Sequence, residues 1–324
     1  TANTPPPAHY PLLLRVLASL PNSRLLPPPA LRADKDEPFH AHHPFLVPLA
    51  HNNATGVTTG VIRWPTPPTE GELPIVTTVP SHPLQLRLAA NTIANFLVRH
   101  VAGLDAKLDA AAVAALLASA DPADPPLPYA AGDLAASKLP LEHFLLLRVA
   151  PFPALYESLA AFHEAKGDTQ SALVTLEKYA GTFPGWPRAY LLHARLLAAL
   201  GFRGAEARDA ARVALRMPLW ALGGDVVEAG ALAGYEDPAG SLPKMYARMA
   251  EDEMLGEVEG GKAKQVVAAE RAAYTMDARA AEAAVEGEEG DGWARVREVL
   301  ATRYDEAGMD DIARFVRLEV APGK

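Results

Sequence analysis

Apolar residues recur at helical spacing through the middle of the chain. Leu155, Leu159 and Phe162 stand at i, i+4 and i+7, which predicts one apolar face on a helix. Gly167 and Asp168 follow: the glycine can end a helix in the left-handed conformation, and the aspartate can cap the next helix. A second apolar face comes after this pair and consists of Ala172, Leu173, Leu176 and Tyr179. The pattern predicts a helical hairpin.

Similar spacing predicts helices on both sides of this hairpin. The predicted helices cover residues 10–20, 84–104, 110–120, 142–149, 241–254, 266–285, 293–304 and 312–316. A further helix through Val227 and Leu232 is expected after Trp220. Proline- and glycine-containing segments separate these helices.

Residues 30–80 carry a different pattern, in which prolines are frequent and alternation replaces helical spacing. Residues 56–64 and 73–79 are rich in β-branched side chains, and a Pro-rich loop of turn-forming residues separates them. We therefore predict a small β-hairpin on an extended arm. Because an isolated hairpin is only marginally stable in water, it must pack on the helices or on a partner.

The central hairpin occurs twice, with a period of 34 residues. Four pairs of matching residues are 34 positions apart: Tyr156 and Tyr190, Ala160 and Ala194, Gly167 and Gly201, and Pro184 and Pro218. This period and placement resemble the tetratricopeptide repeat. Glu206 stands where the first copy has the small Ala172, so Ala207 is expected to make the close helix contact instead. The resemblance implies a binding and scaffolding architecture with a concave groove.

These elements predict a mainly α protein. We expect a tetratricopeptide-like α-solenoid, or helical array, preceded by a small N-terminal extended arm that bears a β-hairpin. The expected parts are a Pro-rich arm at 1–80, a helical lead-in at 81–150, the repeats at 151–235 and an acidic helical C-terminal cap at 236–324. A stacked array requires such a cap with a polar outer face.

Composition and charge narrow the function classes. Hydrophobic residues make up 49% of the chain, which predicts a folded protein. The net charge is −9, and residues 250–324 hold 18 acidic against 10 basic residues, a difference of −8. This excess of negative charge argues against nucleic acid as a partner. It also argues against binding of an anionic lipid surface through residues 250–324. No apolar run approaches the ~20 residues of a membrane span, so contact with a membrane complex would be peripheral.

The alanine and proline content is high, and no leader with a charged and then an apolar part is visible. We interpret this bias as that of a GC-rich nuclear gene, as in some algae. An imported organelle protein with its leader removed is expected, and the chloroplast is favoured over the mitochondrion.

One local cluster could bind a metal. His40, His42, His43 and His51 lie near acidic residues at 34–37, and imidazole and carboxylate groups can ligate zinc. The spacing matches no metal motif, and the sequence has no cysteine, phosphate-binding glycine loop or nucleophile elbow. We predict no cofactor. A metal-dependent enzyme or metal-binding protein centred on residues 40–51 stays as the alternative.

The sequence thus predicts a non-enzymatic scaffold, or an assembly or stabilising subunit of a larger complex, with an organellar membrane complex as the natural candidate. Its partners would be protein subunits, bound through the repeat groove and the arm. The candidate contact residues are Trp64, Tyr156, Arg188, Tyr190 and Arg195. The four tryptophans are spread along the chain and predict no shared platform. A third interpretation is a chaperone or import adaptor for an extended peptide, because Arg188 and Arg195 share one helix face at i, i+7.

Overall fold

The structure is a computed structural model that describes residues 7–27, 41–65, 73–107, 110–252, 263–286 and 292–318. Within these residues the chain is mainly helical, as predicted, with one antiparallel sheet near the N-terminus. Among the described helices, none combines the length and the apolar character needed to cross a bilayer.

The sheet has five strands in sequential order, each antiparallel to its neighbour. They are β1 (Ser23–Leu25), β2 (Leu46–Asn52), β3 (Thr58–Ile62), β4 (Ile75–Val79) and β5 (His82–Ala90). The two predicted strands are confirmed as β3 and β4, which pair with Gly60 opposite Val76. The prediction of a hairpin alone is wrong, because β1, β2 and β5 extend it into a sheet.

Both faces of this sheet are buried. Consecutive residues in a strand point to opposite sides, and here both sides are apolar. Val61 and Ile75 belong to one hydrophobic core, while Ile62 and Val76 belong to the other. All four are at most 3% exposed. The described part of the predicted arm is therefore a central layer of the molecule and not a free ribbon.

Helices from the first half of the chain cover one face. They are α1 (Tyr10–Ser19), α2 (Ile93–Asp105), α3 (Ala110–Ala118), α4 (Asp133–Ser137) and α5 (Leu141–Phe144), and α5 runs on into a π-helical turn (Leu145–Val149). Leu13, Val16 and Leu17 of α1 are fully buried in this core. The helix ends before Pro21, as its sequence predicts.

The predicted helix over 84–104 is wrong in its first part, where the chain forms β5. Leu84, Leu86 and Leu88 recur every second residue and are buried, which is the period of a strand. The helix α2 starts only at Ile93, where the Thr92 side chain accepts a hydrogen bond from the Asn95 amide at 3.1 Å. Pairing with β4 and burial on both faces therefore override the helical spacing.

Helices from the second half of the chain cover the other face. They are α6 (Pro153–Ala165), α7 (Thr169–Thr182), α8 (Arg188–Ala199), α9 (Gly204–Ala214), α10 (Val226–Ala233), α11 (Pro238–Ala250), α12 (Lys264–Glu286), α13 (Ala294–Glu306) and α14 (Asp310–Arg317). Two short 3-10 turns, Leu219–Ala221 and Gly223–Asp225, join α9 to α10.

The hairpin α6–α7 ends its first helix by the predicted chemistry. Gly167 has φ +73, and the Asp168 side chain accepts a hydrogen bond from the Ser171 amide at 3.1 Å. In the second hairpin, α8–α9, Ala207 is only 2% exposed, so it makes the close contact that was expected of it.

The predicted apolar face of α6 is rotated from the true one. The buried residues of this helix are Pro153, Tyr156 and Ala160. Phe162, which was placed on the buried face, is 51% exposed. The small Ala160 lets the neighbouring helix approach, and that contact decides which side of α6 faces inward.

Strand β5 fastens the sheet to the end of the repeats. The buried Gln85 side chain donates hydrogen bonds to the carbonyls of Ala221 and Leu222, both at 3.1 Å. Gly223 faces this amide with φ +57, and a Cβ there would lie 2.7 Å from the Gln85 Oε1 atom. Glycine is therefore required twice at this position, for its backbone conformation and for the space it leaves.

The C-terminal helices are fastened to the same turn by a buried acid. Asp277 of α12 is 8% exposed, and its carboxylate accepts a hydrogen bond from the Leu219 amide at 2.7 Å. Burial raises the pKa of Asp277 to about 8, against the opposing effect of that hydrogen bond.

This raised pKa makes stability depend on pH. The unfolded chain titrates near ~3.9, so between that value and about 8 the folded state holds an extra proton on Asp277. The free energy of unfolding should therefore fall as pH rises through this window, by at most ~1.4 kcal/mol per pH unit. An Asp277→Asn variant keeps an acceptor for Leu219, and its stability relative to wild type should grow from pH 5 to pH 8.

Urea unfolding at several pH values measures this difference. Asp209→Asn is the control, because Asp209 has a 77% exposed side chain on α9. A stability difference for Asp277→Asn that stays constant over this pH range would contradict the assignment.

Candidate partner-binding surface

The helices α6, α8 and α10 are joined across one surface by ion pairs. Arg188 donates to Glu157 at 2.8 Å and to Asp225 at 3.4 Å. Arg195 donates to Asp225 at 2.9 Å and to Glu228 at 2.6 Å. Asp225 bridges the two arginines, so they do lie on one face, as their spacing predicts. We call these five residues the repeat-face network.

The repeat-face network is only partly shielded from solvent. Its side chains are between 22% and 46% exposed. Hydrogen bonding to Glu228 raises the pKa of Arg195, with partial burial opposing it. Pairs this exposed contribute roughly 0–1 kcal/mol each to folding, and three carboxylates outnumber two guanidinium groups. The network therefore presents fixed polar groups to the outside at little cost to the fold.

The two candidate tyrosines differ in their accessibility. Tyr156 is 4% exposed and stacks on Tyr179, with ring centroids 5.5 Å apart and an interplanar angle of 1°. It is a core residue in this structure. Tyr190 is half-buried and packs against the same core. The Tyr179 hydroxyl donates to Glu157 at 3.1 Å, which ties the core to the repeat-face network.

Strand β5 covers one end of this surface. A cavity of about 110 Å³ is left between Leu86 and Arg87 of the strand and Glu157, Tyr179 and Arg188 of the repeats. Strand β5 therefore lies beside the Arg188 end of the repeat-face network. The pair of Arg195 and Glu228, at the other end, does not line this cavity.

The tryptophans do not stay apart as their sequence positions suggest. The Trp220 ring lies 6.1 Å from Trp64, 5.8 Å from Trp186 and 4.5 Å from His43, between ring centroids. His43 in turn lies 5.1 Å from Trp293. Trp64 and Trp186 thus pack on Trp220, and His43 lies between Trp220 and Trp293; we call these five residues the aromatic junction. Trp64 is a half-buried member of it rather than the end of a free strand.

The described histidines of the predicted metal cluster have other surroundings. His43 is 1% exposed, and its Nδ1 atom accepts a hydrogen bond from the Phe45 amide at 3.3 Å. Burial, and to a smaller extent the charge of Arg297, lowers the pKa of His43 well below its ordinary value. His51 is on β2, with Nδ1 at 3.0 Å from the Thr58 hydroxyl. Within the described ranges no three His, Cys, Asp or Glu side chains are placed to hold a metal; His40 lies outside them.

Exposed apolar side chains on the repeats are a feature that the sequence reasoning missed. Phe202, in the turn between α8 and α9, is 83% exposed, and Val174 on α7 is 53% exposed. Exposed large apolar groups of this kind are typical of protein contacts when they cluster. Spacing alone gave no signal for Phe202, because a turn has no buried face to compare with.

Family models and a relative match almost the whole chain. The PAB N-terminal family model matches residues 1–148, the PAB middle domain matches 153–236 and the PAB C-terminal domain matches 242–319. A relative from Arabidopsis thaliana, Protein IN CHLOROPLAST ATPASE BIOGENESIS, chloroplastic, is 32% identical over 321 residues, which cover 97% of this chain and 88% of the relative. No solved structure matches.

The relative confirms the predicted location in the chloroplast. Its name describes biogenesis of a complex and not a catalysed reaction, in keeping with the predicted assembly role. The matched models are PAB domains and not tetratricopeptide models, so the repeat resemblance stays a prediction.

Removal of the Trp220 ring, at the centre of the aromatic junction, should destabilise the fold strongly. The buried Trp220 contacts His43, Trp64 and Trp186 directly and reaches Trp293 through His43, so Trp220→Ala is expected to lower the free energy of unfolding by about 3–5 kcal/mol. Trp64→Ala, at a half-buried position of the same set, should cost clearly less. Denaturant unfolding measures both, and equal losses for the two variants would contradict a central role for Trp220.

Proposed function

The chain belongs to the PAB family, and on that basis we propose that it is an assembly factor for the chloroplast ATPase. The observation that carries the proposal is the relative in chloroplast ATPase biogenesis, which is similar to this chain along almost its entire length. An assembly factor has to hold a subunit before the subunit finds its place. Side chains that are fixed in position but still exposed suit that task, because they lose little freedom on binding.

We further propose that α6–α7 and α8–α9 are two tetratricopeptide-like repeats. Equivalent positions of the first two hairpins share their conformation and burial, which supports this. Gly167 and Gly201 both have φ +73. Ala160 and Ala194 are both buried, at 3% and 0% exposure.

The contact with the ATPase subunit would lie at the Arg195 end of the repeat-face network. Strand β5 lines a cavity together with Glu157 and Arg188, whereas Arg195 and Glu228 do not line it. A guanidinium group that already shares two carboxylates can exchange one of them for a carboxylate of the partner. Charge-assisted contacts of this kind give orientation and specificity more than raw affinity.

The proposed function predicts a defect in assembly rather than in synthesis. In a chloroplast-containing host without this protein, assembled ATPase should fall several-fold while its subunits are still made. Native gels combined with pulse labelling distinguish these two quantities. Normal amounts of assembled ATPase in the deletion strain would remove the basis of the proposal.

The proposed contact predicts that Arg195→Gln weakens binding to the ATPase subunit about tenfold, since one charge-assisted contact is lost. The matched control is Arg317→Gln, on α14, where Arg317 pairs with Glu298 at 3.0 Å and Asp305 at 2.7 Å. Both variants should change stability little, because ion pairs of partly exposed side chains contribute little to folding. Pull-down of isolated ATPase subunits measures the binding, and equal binding by the two variants would place the contact elsewhere.

A further inference from the structure

A second surface lies on the opposite side of the sheet from the repeats' core. It is a groove of about 470 Å³ between α2, the end of α1, the α5 and π-helical segment, and the start of α6. Its apolar lining consists of Leu20, Phe96, Leu104, Leu141, Leu145 and Leu155. Most of these side chains are half-buried, so the groove is an open trough rather than an enclosed cavity. Its volume is within the roughly 300–1,000 Å³ of ligand-binding pockets.

Helix α2 forms the floor of this groove. The face that it turns to the groove is not the face that packs in the core. The inward face of α2 carries Leu97, Val98 and Val101, all fully buried. The groove face carries residues 96, 99, 100, 103, 104 and 107, which recur at three- and four-residue spacing. Helix α2 therefore carries apolar side chains on two faces: one packs on the sheet, and the other lines the groove.

Gly103 sits in the middle of the groove face. A Cβ atom built on Gly103 would meet no atom within 4 Å. Glycine inside a helix costs roughly 0.5–1 kcal/mol relative to alanine, and nothing in the described surroundings requires it. The missing side chain does have one effect, which is to keep the groove open.

The charges along this groove favour an anionic occupant. Arg99 lies over the Phe152 ring, 5.2 Å from its centroid, and neither Arg99 nor Lys107 makes an ion pair within the described residues. Burial lowers the pKa of Arg99 and, together with the charge of Lys107, that of His100. Among the described residues of the lining, Glu142 is the one that carries a carboxylate. Two cations against one carboxylate give a local positive excess on a protein of net charge −9.

We propose that this groove binds an acidic amphipathic helix of a partner protein, an inference that rests on the proposed assembly function. Apolar side chains at i, i+3, i+4 and i+7 of the partner helix enter the trough over Gly103, and its carboxylates pair with Arg99 and Lys107. A half-exposed trough suits a helix laid along it.

The test mixes the full chain with a fluorescent synthetic helix. This peptide consists of leucine, alanine and glutamate, with leucines at i, i+3, i+4 and i+7. Fluorescence anisotropy should show saturable binding that weakens at least tenfold when lysine replaces glutamate. Gly103→Phe fills the groove and should weaken binding at least tenfold. Gly103→Ala is the matched control, which should bind within about twofold of wild type and melt at a higher temperature.

Wild-type affinity in a folded Gly103→Phe variant would overturn the proposal, with circular dichroism as the check on folding. Dodecanoate is a separate probe, and binding of dodecanoate without binding of the peptide would also overturn it in favour of a lipid-like ligand.

Peptides tiled across the chloroplast ATPase subunits separate this inference from the proposed function. If the synthetic helix binds with the expected variant dependence and no ATPase peptide does, the groove assignment stands and the choice of the ATPase fails.

Discussion

The packing of Trp220 against residues from three distant parts of the chain is the constraint on which the rest of the structure depends. His43 and Trp64 reach this ring from the sheet, Trp186 from the repeats, and Trp293 from the C-terminal helices through His43. Large aromatic groups bury much apolar area at one point. Because no single region supplies all of these rings, the core on the repeat side of the sheet is shared by all three regions, whereas the core on the other side comes almost entirely from the first region.

The doubly buried sheet explains why two surfaces are available for partners. A sheet with one solvent-exposed face needs only one layer of helices, whereas this sheet has a hydrophobic core on each face. The second-half helices present the repeat-face network, and the first-half helices present the groove over Gly103. The two proposed contact surfaces therefore lie on opposite sides of one sheet, and a client that used both would be held by two linked contacts. Two linked contacts bind more strongly than either alone.

Much of the helical part of the fold could be predicted from the sequence, and the sheet only in part. Local signals were sufficient at Gly167 and Asp168, where a turn and a cap are decided by neighbouring residues. They were insufficient at residues 84–90, where the two-residue period of the leucines competes with helical spacing and pairing with β4 decides. The contact candidates depended most on tertiary structure. Arg188 and Arg195 do share a face, but the burial of Tyr156 and the meeting of the tryptophans result from contacts far apart in the sequence.

The link between Arg297 and the start of the sheet has a consequence for how the protein matures. This buried side chain donates to the carbonyls of Val316 and His42, both at 2.7 Å, and the second bond joins residues 255 positions apart. Contacts of such long range slow folding, because a large loop must close before they form. The bond between the start of the sheet and the C-terminal helices therefore forms only after Arg297 has been made, close to the end of synthesis. Until then this bond cannot hold the segment before β2, whereas the core on the other face of the sheet, built from residues 10–155, needs none of the C-terminal helices.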